Sequence, residues 1–556
     1  MKFTRKPMVN WYDLKQLAST GIKTMISGVF GNFADKREFQ AAYARGEKPF
    51  VIDNDKEEIW IDYISDLGDG FDATYTMAHL LAQDTLTIDN TTTQRGRILI
   101  MGGDEVYPTP ERREYENRLK GPYANAFPWE QNIETSLFVI PGNHDWYDGL
   151  TNFMKVFCQG RSIGNWLTEQ KRSYFALKLP HNYWVFGIDI QLHADIDEPQ
   201  LDYFRKISRE QMQKGDKVIL CTAEPSWVYK SWSMKNTSDD RMRFFIDNII
   251  LGATKNYYGR EEDDVQVVAI LTGDMHHYSH YEEKIGGIVK SHLITAGGGG
   301  AFTHPTHFLK ANVEAGDNCT RELTKNGIYP TRKQSLGLGW WNLAFPAYSP
   351  HMLCLFAVLH LFTIWNLQIF DQAPGSFLER LGELETFSAI LDHIYNNLKY
   401  NPAVVFLHFV LLIGLTMFSD TFTVKWSWII GFMHGLLQLV ISYIMIYFII
   451  GFVMDIGLDL IWGVFTFAVL GGLVSAFIFG LYLLVSTLVI HNHPTEAFSS
   501  FRWKGYKNFL RIHITNEGAT IYPIGLKKVS SWTHDFKPKG SPPKPIFIED
   551  PFKIDS

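Results

Sequence analysis

Four short motifs in this chain place oxygen and nitrogen donors just past apolar, strand-like runs. They are Asp66-Leu67-Gly68, Gly103-Asp104-Glu105-Val106-Tyr107, Gly142-Asn143-His144-Asp145 and Gly273-Asp274-Met275-His276. Carboxylates, an amide, an imidazole and a phenol at strand ends form the donor set of a metal-assisted phosphoryl hydrolase. Two cations about 3.5–4 Å apart hold a phosphate, acidify a bound water and stabilise the leaving oxygen. A nearby acid protonates the departing group. Asp104 follows the run Arg97–Met101 and two glycines, which allow a tight turn that exposes its carboxylate. It is the best candidate for a bridging ligand. Asp66 follows Ile59–Ile64 in a similar way. Asn143 follows Ser136–Ile140, and its amide oxygen is a neutral ligand. His144 beside it cannot easily share that cation and is the natural general acid, with Asp145 able to orient its imidazole. Asp274 and His276 follow Val265–Leu271 two residues apart, so an extended loop points both to one side. Any one Asp or Asn beside Gly is an ordinary turn residue. Four such motifs at four strand ends, in this order, are not accounted for in that way.

The elements that must position these groups are legible as runs. Ile59–Ile64, Arg97–Met101, Ser136–Ile140, Tyr183–Ile188, Val218–Cys221, Val265–Leu271 and Ile288–Thr295 read as strands, with helices such as Ala73–Ala82 and Gln200–Lys214 between them. This alternation predicts a layered α/β domain over 50–345, after an N-terminal extension over 1–49. Asp69, Asp72, Asp189, the run Gly297–Gly300, His304 and His307 are further polar or glycine positions near the motifs. Trp146, Tyr147 and Trp227 are candidates for a substrate mouth or for the core.

A composition shift follows Trp340-Trp341. Apolar runs cover Met352–Leu367, Pro402–Phe418, Trp426–Phe452 and Leu458–Ile490, the last long enough for one tilted span or a pair broken at Gly471-Gly472. About 20 apolar residues cross a bilayer, so 346–490 is expected to be a transmembrane region of about four helices. Basic residues flank it at Arg332, Lys333, Arg502, Lys504, Lys507 and Arg511, whereas 371–400 is acidic. The positive-inside rule then places the catalytic domain and the C-terminus in the cytoplasm of a protein integral to the cytoplasmic membrane. Phe377–Ile394 has the spacing of a surface amphipathic helix. His360, His408 and His434 lie within or beside the spans, and His491, His493 and Glu496 follow them. Residues 491–556 read as a small C-terminal domain and tail, with a hairpin of Phe509–Thr515 and Ala519–Ile524 around Asn516-Glu517-Gly518. A net charge of −7 gives no basic signature for nucleic acid. The four cysteines are far apart, with no zinc-ribbon or disulfide spacing.

The motif set resembles the calcineurin-like metallophosphoesterase superfamily over about residues 50–305. The variant Asp-x-Gly, Gly-Asp-x-x-Tyr and Gly-Asn-His-Asp is most similar to its purple-acid-phosphatase branch. The stretches GNHDWYDG, GGGGAFTHPTH and EAFSSFRWKGYKNFLRIHI are similar to a bacterial group of membrane-attached metallophosphoesterases. The resemblance implies an αββα two-sheet sandwich with the site at its strand ends. It implies a first metal among Asp66, Asp104, Tyr107 and His276, a second at Asp104 and Asn143, and His144 near the leaving group. Two positions depart from the family. Its histidine before proline corresponds to Thr222-Ala223-Glu224-Pro225, so either Ala223 occupies the ligand position or Glu224 reaches in. Its Gly-His-x-His is Gly273-Asp274-Met275-His276 here. Both changes fall on the second metal, and an oxygen-rich site suits Mg²⁺ or Mn²⁺. The expectation is therefore a membrane-anchored, metal-dependent phosphoesterase with two ions drawn from Mn, Fe or Mg. Its substrate would be a phosphorylated small molecule or lipid, a monoester or a diester. The alternative is a degenerate relative that senses a phosphorylated ligand.

Overall fold

The computed structural model describes residues 3–30, 48–52, 57–130, 135–190, 196–233, 236–253, 265–315, 319–369, 376–419 and 426–555. Most of the expected N-terminal extension beyond residue 30, and 371–375 of the acidic segment, lie outside them. The chain forms two compact units. One comprises Met1–Val9, Ala18–Ser335 and Arg502–Ser556; the other comprises Asn10–Leu17 and Leu336–Phe501.

In the first unit the strands that frame the site are, in chain order, β1 (Glu58–Ile64), β2 (Ile98–Met101), β3 (Thr135–Val139), β4 (Tyr183–Gly187), β5 (Asp216–Cys221), β6 (Val265–Thr272), β7 (Tyr278–Ile285), β8 (Ile288–Ala296), β9 (Cys319–Tyr329), β10 (Lys507–Thr515) and β11 (Gly518–Leu526). They build two large sheets. One contains the order β11-β10-β1-β2-β3, the other β4-β5-β6-β8-β7-β9. The β1–β2–β3 and β4–β5–β6–β8 neighbours are parallel. Such strands are covered on both faces, which is why they read as nearly unbroken apolar runs. Alternate side chains serve opposite layers. Leu99, Met101, Leu137 and Val139 pack with Met77, Leu81 and Phe153 of the helices outside the first sheet. Phe138 turns the other way, its ring 5.1 Å from that of Phe175 in the second sheet. Trp184, Phe186 and Leu220 meet Phe204, Trp227 and Phe245 of the helices beyond that sheet. The result is the helix–sheet–sheet–helix sandwich expected from the sequence.

The C-terminal residues correct the expected domain plan. The hairpin forms as Lys507–Thr515 and Gly518–Leu526, but it does not found a separate domain. β10 pairs antiparallel with β1, setting Arg511 opposite Asp62 and Ile512 opposite Ile61. Phe509, Ile524 and Leu526 enter the first sheet's core. An isolated hairpin is marginal in water; here it gains a sheet and a hydrophobic layer.

Among the described residues of the second unit, three helices are long and apolar enough to cross a membrane: Pro350–Gln368, Ser427–Asp455 and Leu460–Ile490. Large apolar side chains on them are exposed, among them Trp365, Phe448, Phe452 and Ile461. The expected second span is too short alone. Phe387–Tyr400 and Pro402–Met417 meet at a 96° bend, and only if that pair counts as one span does the number reach four. Pro402 starts a new helix because it cannot continue the old one. Gly471-Gly472 breaks nothing: Leu460–Val485 runs through it. A Cβ on Gly472 would meet the Leu353 carbonyl at 2.9 Å, so these glycines admit a neighbouring helix. The expected amphipathic segment forms two helices, Phe377–Gly382 and Phe387–Tyr400.

Candidate metal centre

Asp66, Asp104 and Asp274 each sit just past a strand end, and each holds a left-handed backbone, with φ of 58°, 53° and 64°. Non-glycine residues enter this region at a cost of order 1–3 kcal/mol, and such residues cluster at functional sites. The strain here aims three carboxylates into one small volume. Glycines make the room. A Cβ on Gly273 would meet Asp66 Oδ2 at 2.8 Å, one on Gly297 would meet it at 2.5 Å, and one on Gly142 would overlap Asp104 Oδ1.

The Tyr107 hydroxyl is the hub. It lies 3.1 Å from Asp66 Oδ1, 3.1 Å from Asp104 Oδ2 and 2.9 Å from His276 Nε2. His276 Nδ1 is 2.8 Å from the Phe302 carbonyl. A carbonyl only accepts, so Nδ1 carries the proton and Nε2 presents its lone pair. Three acceptors thus face one phenol proton. Burial and then the Asp274 carboxylate push Asp66 well above the usual carboxylate range. Burial and then Asp66, Asp145 and Asp274 do the same to Asp104. A cation is what such a donor-poor, charge-crowded set accommodates. Among the described residues no three His, Cys, Asp or Glu side chains already converge as ligands; the phenol oxygen stands between them.

Asn143 starts the short helix Asn143–Trp146. Its Oδ1 is buried without a hydrogen-bond partner among the described residues, while its amide nitrogen is 3.3 Å from the Tyr147 hydroxyl. An orphan amide oxygen beside Asp104 fits a metal ligand. The neighbouring His144 N–H donates to Asp104 Oδ1 at 2.9 Å, and its Nδ1 is 2.9 Å from the Pro108 carbonyl. This fixes the tautomer with Nε2 as the working nitrogen. The Pro108 carbonyl therefore orients the imidazole. Asp145 accepts from Gly142 N at 3.0 Å, from Glu105 N at 3.2 Å and from the Tyr115 hydroxyl. It braces the loop that carries Asp104.

On the side contributed by the second sheet, the Ala223 Cβ is 3.0 Å from where a Cβ on Gly103 would stand. Glu224 interacts with Ser238, and burial followed by the Asp274 charge raises it to about 7. Asp274 N–H donates to both Asp66 oxygens, at 3.1 and 3.0 Å, and its Oδ2 accepts from the Tyr229 hydroxyl.

Several residues of the centre carried no sequence signal. Tyr229 lies on a helix without a motif. Lys507, fully buried, reaches from β10 to the Ala301 carbonyl, and burial lowers it to about 7 despite the nearby Asp69 and Asp66 charges. Asn508 N–H donates to the Gly298 carbonyl at 3.1 Å, so the glycine run is a close-packed floor under the carboxylates. Of the secondary candidates, Asp69 takes the Val9 N–H at 2.7 Å, Asp72 lies 3.6 Å from Lys504, and Asp189 takes the Trp146 indole N–H at 2.9 Å. His304 stacks on His276 at 3.8 Å, and His307 bonds Ser335 at 2.8 Å. Trp227 is buried in the core. His491, His493 and Glu496 belong to the helical unit.

Residues 59–278 match the family model described as calcineurin-like phosphoesterase. Among solved structures, "Structure of PhoD" matches at 10% identity with a TM-score of 0.28, over 44% of this chain and 58% of that one. The matched part thus spans a little over half the length of that chain. No curated protein matches.

Proposed function

We propose, from the calcineurin-like phosphoesterase domain at residues 59–278, that the α/β unit hydrolyses a phosphate monoester or diester at a two-metal centre. The observation that carries this reading is the Tyr107 hub, where Asp66, Asp104 and His276 all face one phenol proton. Asp66, Asp104, Tyr107 and His276 would hold one cation. Asp104, Asn143 and Asp274 would hold the other, with Glu224 behind Asp274. The ions would supply Lewis acidity toward phosphate and water. Oxygen-dominated donors favour Mn²⁺ or Mg²⁺ at the second position. His144 exchanges a proton with the leaving group through Nε2. Burial lowers it to about 4, and an adjacent phosphate anion favours its charged form.

The exposed apolar helices support a membrane anchor, and the basic residues flanking them favour the cytoplasmic side for the α/β unit and the C-terminal strands. This anchoring favours phosphorylated lipids among the substrates. The Ala223 methyl, at a position that supplies no ligand, favours one other reading, a phospho-ligand sensor.

Purified full-length protein, screened with Mn²⁺, Mg²⁺ and Fe²⁺ over phosphomonoesters, diesters and lipid phosphates, tests the proposal. Metal-dependent release of phosphate or alcohol is expected. Tight binding of phosphate compounds without turnover under any metal would establish the sensor instead. A second expectation concerns Tyr229. Tyr229→Phe removes the donor that holds Asp274, so Mn²⁺ affinity at the weaker site should fall about 10–100-fold while the tighter site is unchanged. Calorimetric titration with Mn²⁺ reads both sites, and wild-type affinity at the weaker one would exclude Asp274 as a ligand.

A further inference from the structure

The three long apolar helices enclose a column of polar side chains. At one end His493 Nδ1 lies 3.6 Å from Glu496 Oε2, and His493 Nε2 lies 2.9 Å from the Tyr482 hydroxyl. The Tyr482 ring stacks on His434 at 4.3 Å. His434 Nε2 is 3.2 Å from the Gln438 amide nitrogen, which donates to the Ser475 carbonyl at 3.0 Å. Ser475 Oγ is 2.9 Å from His360 Nε2, and Ser442 Oγ is 3.4 Å from His360 Nδ1. His434, Gln438 and Ser442 recur every four residues along one face of Ser427–Asp455, a rise of about 12 Å. Beyond them the same face turns apolar. Ile446 and Ile450 cluster with Ile364, Leu367 and Phe467. The polar column therefore spans about half of a ~30 Å hydrocarbon core and stops at an apolar layer.

Two of its atoms stand out. His434 Nδ1 and Gln438 Oε1 have no hydrogen-bond partner among the described residues, in side chains only 5% and 8% exposed. Each costs about 1–3 kcal/mol if it stays unsolvated. One donor and one acceptor four residues apart make a site for water. His360 packs closely on the neighbouring helix, where a Cβ on Gly471 would meet it at 2.8 Å. The backbone supports a special role at the entrance too. His493 holds φ 54° three residues past a π-helical turn at Ser486–Ile490, and such turns recur at functional sites. Ionisable groups inside membrane helices mark ion and proton pathways.

We propose that the helical unit is a proton pathway, a polar half-channel from Glu496 through His493, His434 and His360, gated by the Ile446 layer. The inference rests on this unit crossing a membrane and is independent of the phosphoesterase chemistry. At His493 and His360 one nitrogen accepts a proton and the other releases one, so each ring is regenerated as its other tautomer and no electrons move. Water between the His434 and Gln438 atoms carries the proton where the stacked Tyr482 ring and the Gln438 amide do not. The groups facing the path are few. Phe479 and Tyr482 flank His434, Phe467 flanks His360, Phe418 and Tyr482 flank His493, and the Tyr12 hydroxyl donates to the Glu496 carbonyl.

The test is proton uptake by phosphatidylcholine–phosphatidylglycerol vesicles containing the full chain. A potassium–valinomycin potential drives the uptake, an internal pH dye reads it, and flotation after carbonate washing confirms insertion. Wild-type protein or Ile446→Ser should take up protons roughly tenfold faster than protein-free vesicles, because a polar residue lets water through the apolar layer. Adding His360→Leu, or separately Gln438→Leu, to the Ile446→Ser chain should return uptake to the protein-free rate. Inserted wild-type and Ile446→Ser chains that both match protein-free vesicles overturn the pathway. So does uptake that survives both leucine variants. A chain that fails carbonate-resistant insertion overturns the membrane reading and this inference with it, leaving the phosphoesterase reading standing.

Discussion

Replacing Asp104 with Asn is expected to lower hydrolysis by about a thousandfold or more, some 4 kcal/mol of transition-state stabilisation, without unfolding the protein. Asn is the informative choice because it tolerates the left-handed backbone that Asp104 adopts at φ 53°. Its shape also keeps an oxygen for the His144 N–H, now 2.9 Å from Asp104 Oδ1. What changes is charge. In the proposed centre Asp104 would serve both cations, and a neutral amide bridges two metals poorly. Stability should move the other way in metal-stripped protein. Burial and neighbouring carboxylates raise Asp66 and Asp104, so the folded state keeps protons that the unfolded chain releases. Their contribution is full below about pH 4, the unfolded carboxylate value, and is lost as pH rises through the folded values. Removing one of these charges relieves that loss, so stripped Asp104→Asn should melt at or above the wild-type temperature at pH 7. Mn²⁺ should stabilise the wild type and not the variant. Activity assays and melting curves with and without Mn²⁺ decide it. Wild-type turnover in Asp104→Asn would exclude the bridging role.

The features legible in the sequence were those whose cause is local. β1, β2, β3 and β6 are covered on both faces, so they show as apolar runs, and the Asp-x-Gly, Gly-Asp or Gly-Asn turn past each end is a short-range signal. That is enough to place Asp66, Asp104, Asn143, Asp274 and His276 at strand ends. β7 and β9 were not legible. Their outer halves carry Glu282, Glu283 and Lys284 opposite Glu322, Arg321 and Thr320, so neither shows an apolar run. Pairings between side chain and backbone were also hidden. Nothing in the string His144-Asp145 reveals that the Pro108 carbonyl accepts the hydrogen bond from the imidazole N–H while Asp145 braces a loop. The membrane-length runs showed clearly, but not the 96° bend between Tyr400 and Pro402, which depends on how two short helices meet.

The least legible link joins the two ends of the chain. Arg511→Met is expected to destabilise the α/β unit by about 3–5 kcal/mol, as when one partner of a buried ion pair is removed. Arg511 Nε lies 3.0 Å from Asp62 Oδ1, with side chains 0% and 3% exposed. Its Nη1 lies 3.2 Å from Thr93 Oγ1, and the other Asp62 oxygen takes the Gly96 N–H at 3.0 Å. Burial already raises Asp62 above its ordinary range even with the guanidinium beside it. Without that cation the carboxylate must hold a proton or leave the sheet. The consequence reaches the metal centre, because β10 also carries Lys507 to Ala301 and Asn508 to Gly298, the floor beneath Asp66. Loosening β10 from β1 should therefore lower both the unfolding midpoint and Mn²⁺ affinity. Asp62→Asn in the Arg511→Met background keeps an acceptor for Gly96 N–H and removes the orphan charge. It should recover about 1–3 kcal/mol beyond additivity. Denaturant unfolding of the full chain in detergent, followed by tryptophan fluorescence across the four-member cycle, measures this. Strict additivity would mean that the two charges do not sense each other, and β10 would then be held to β1 by its backbone ladder and apolar side chains alone.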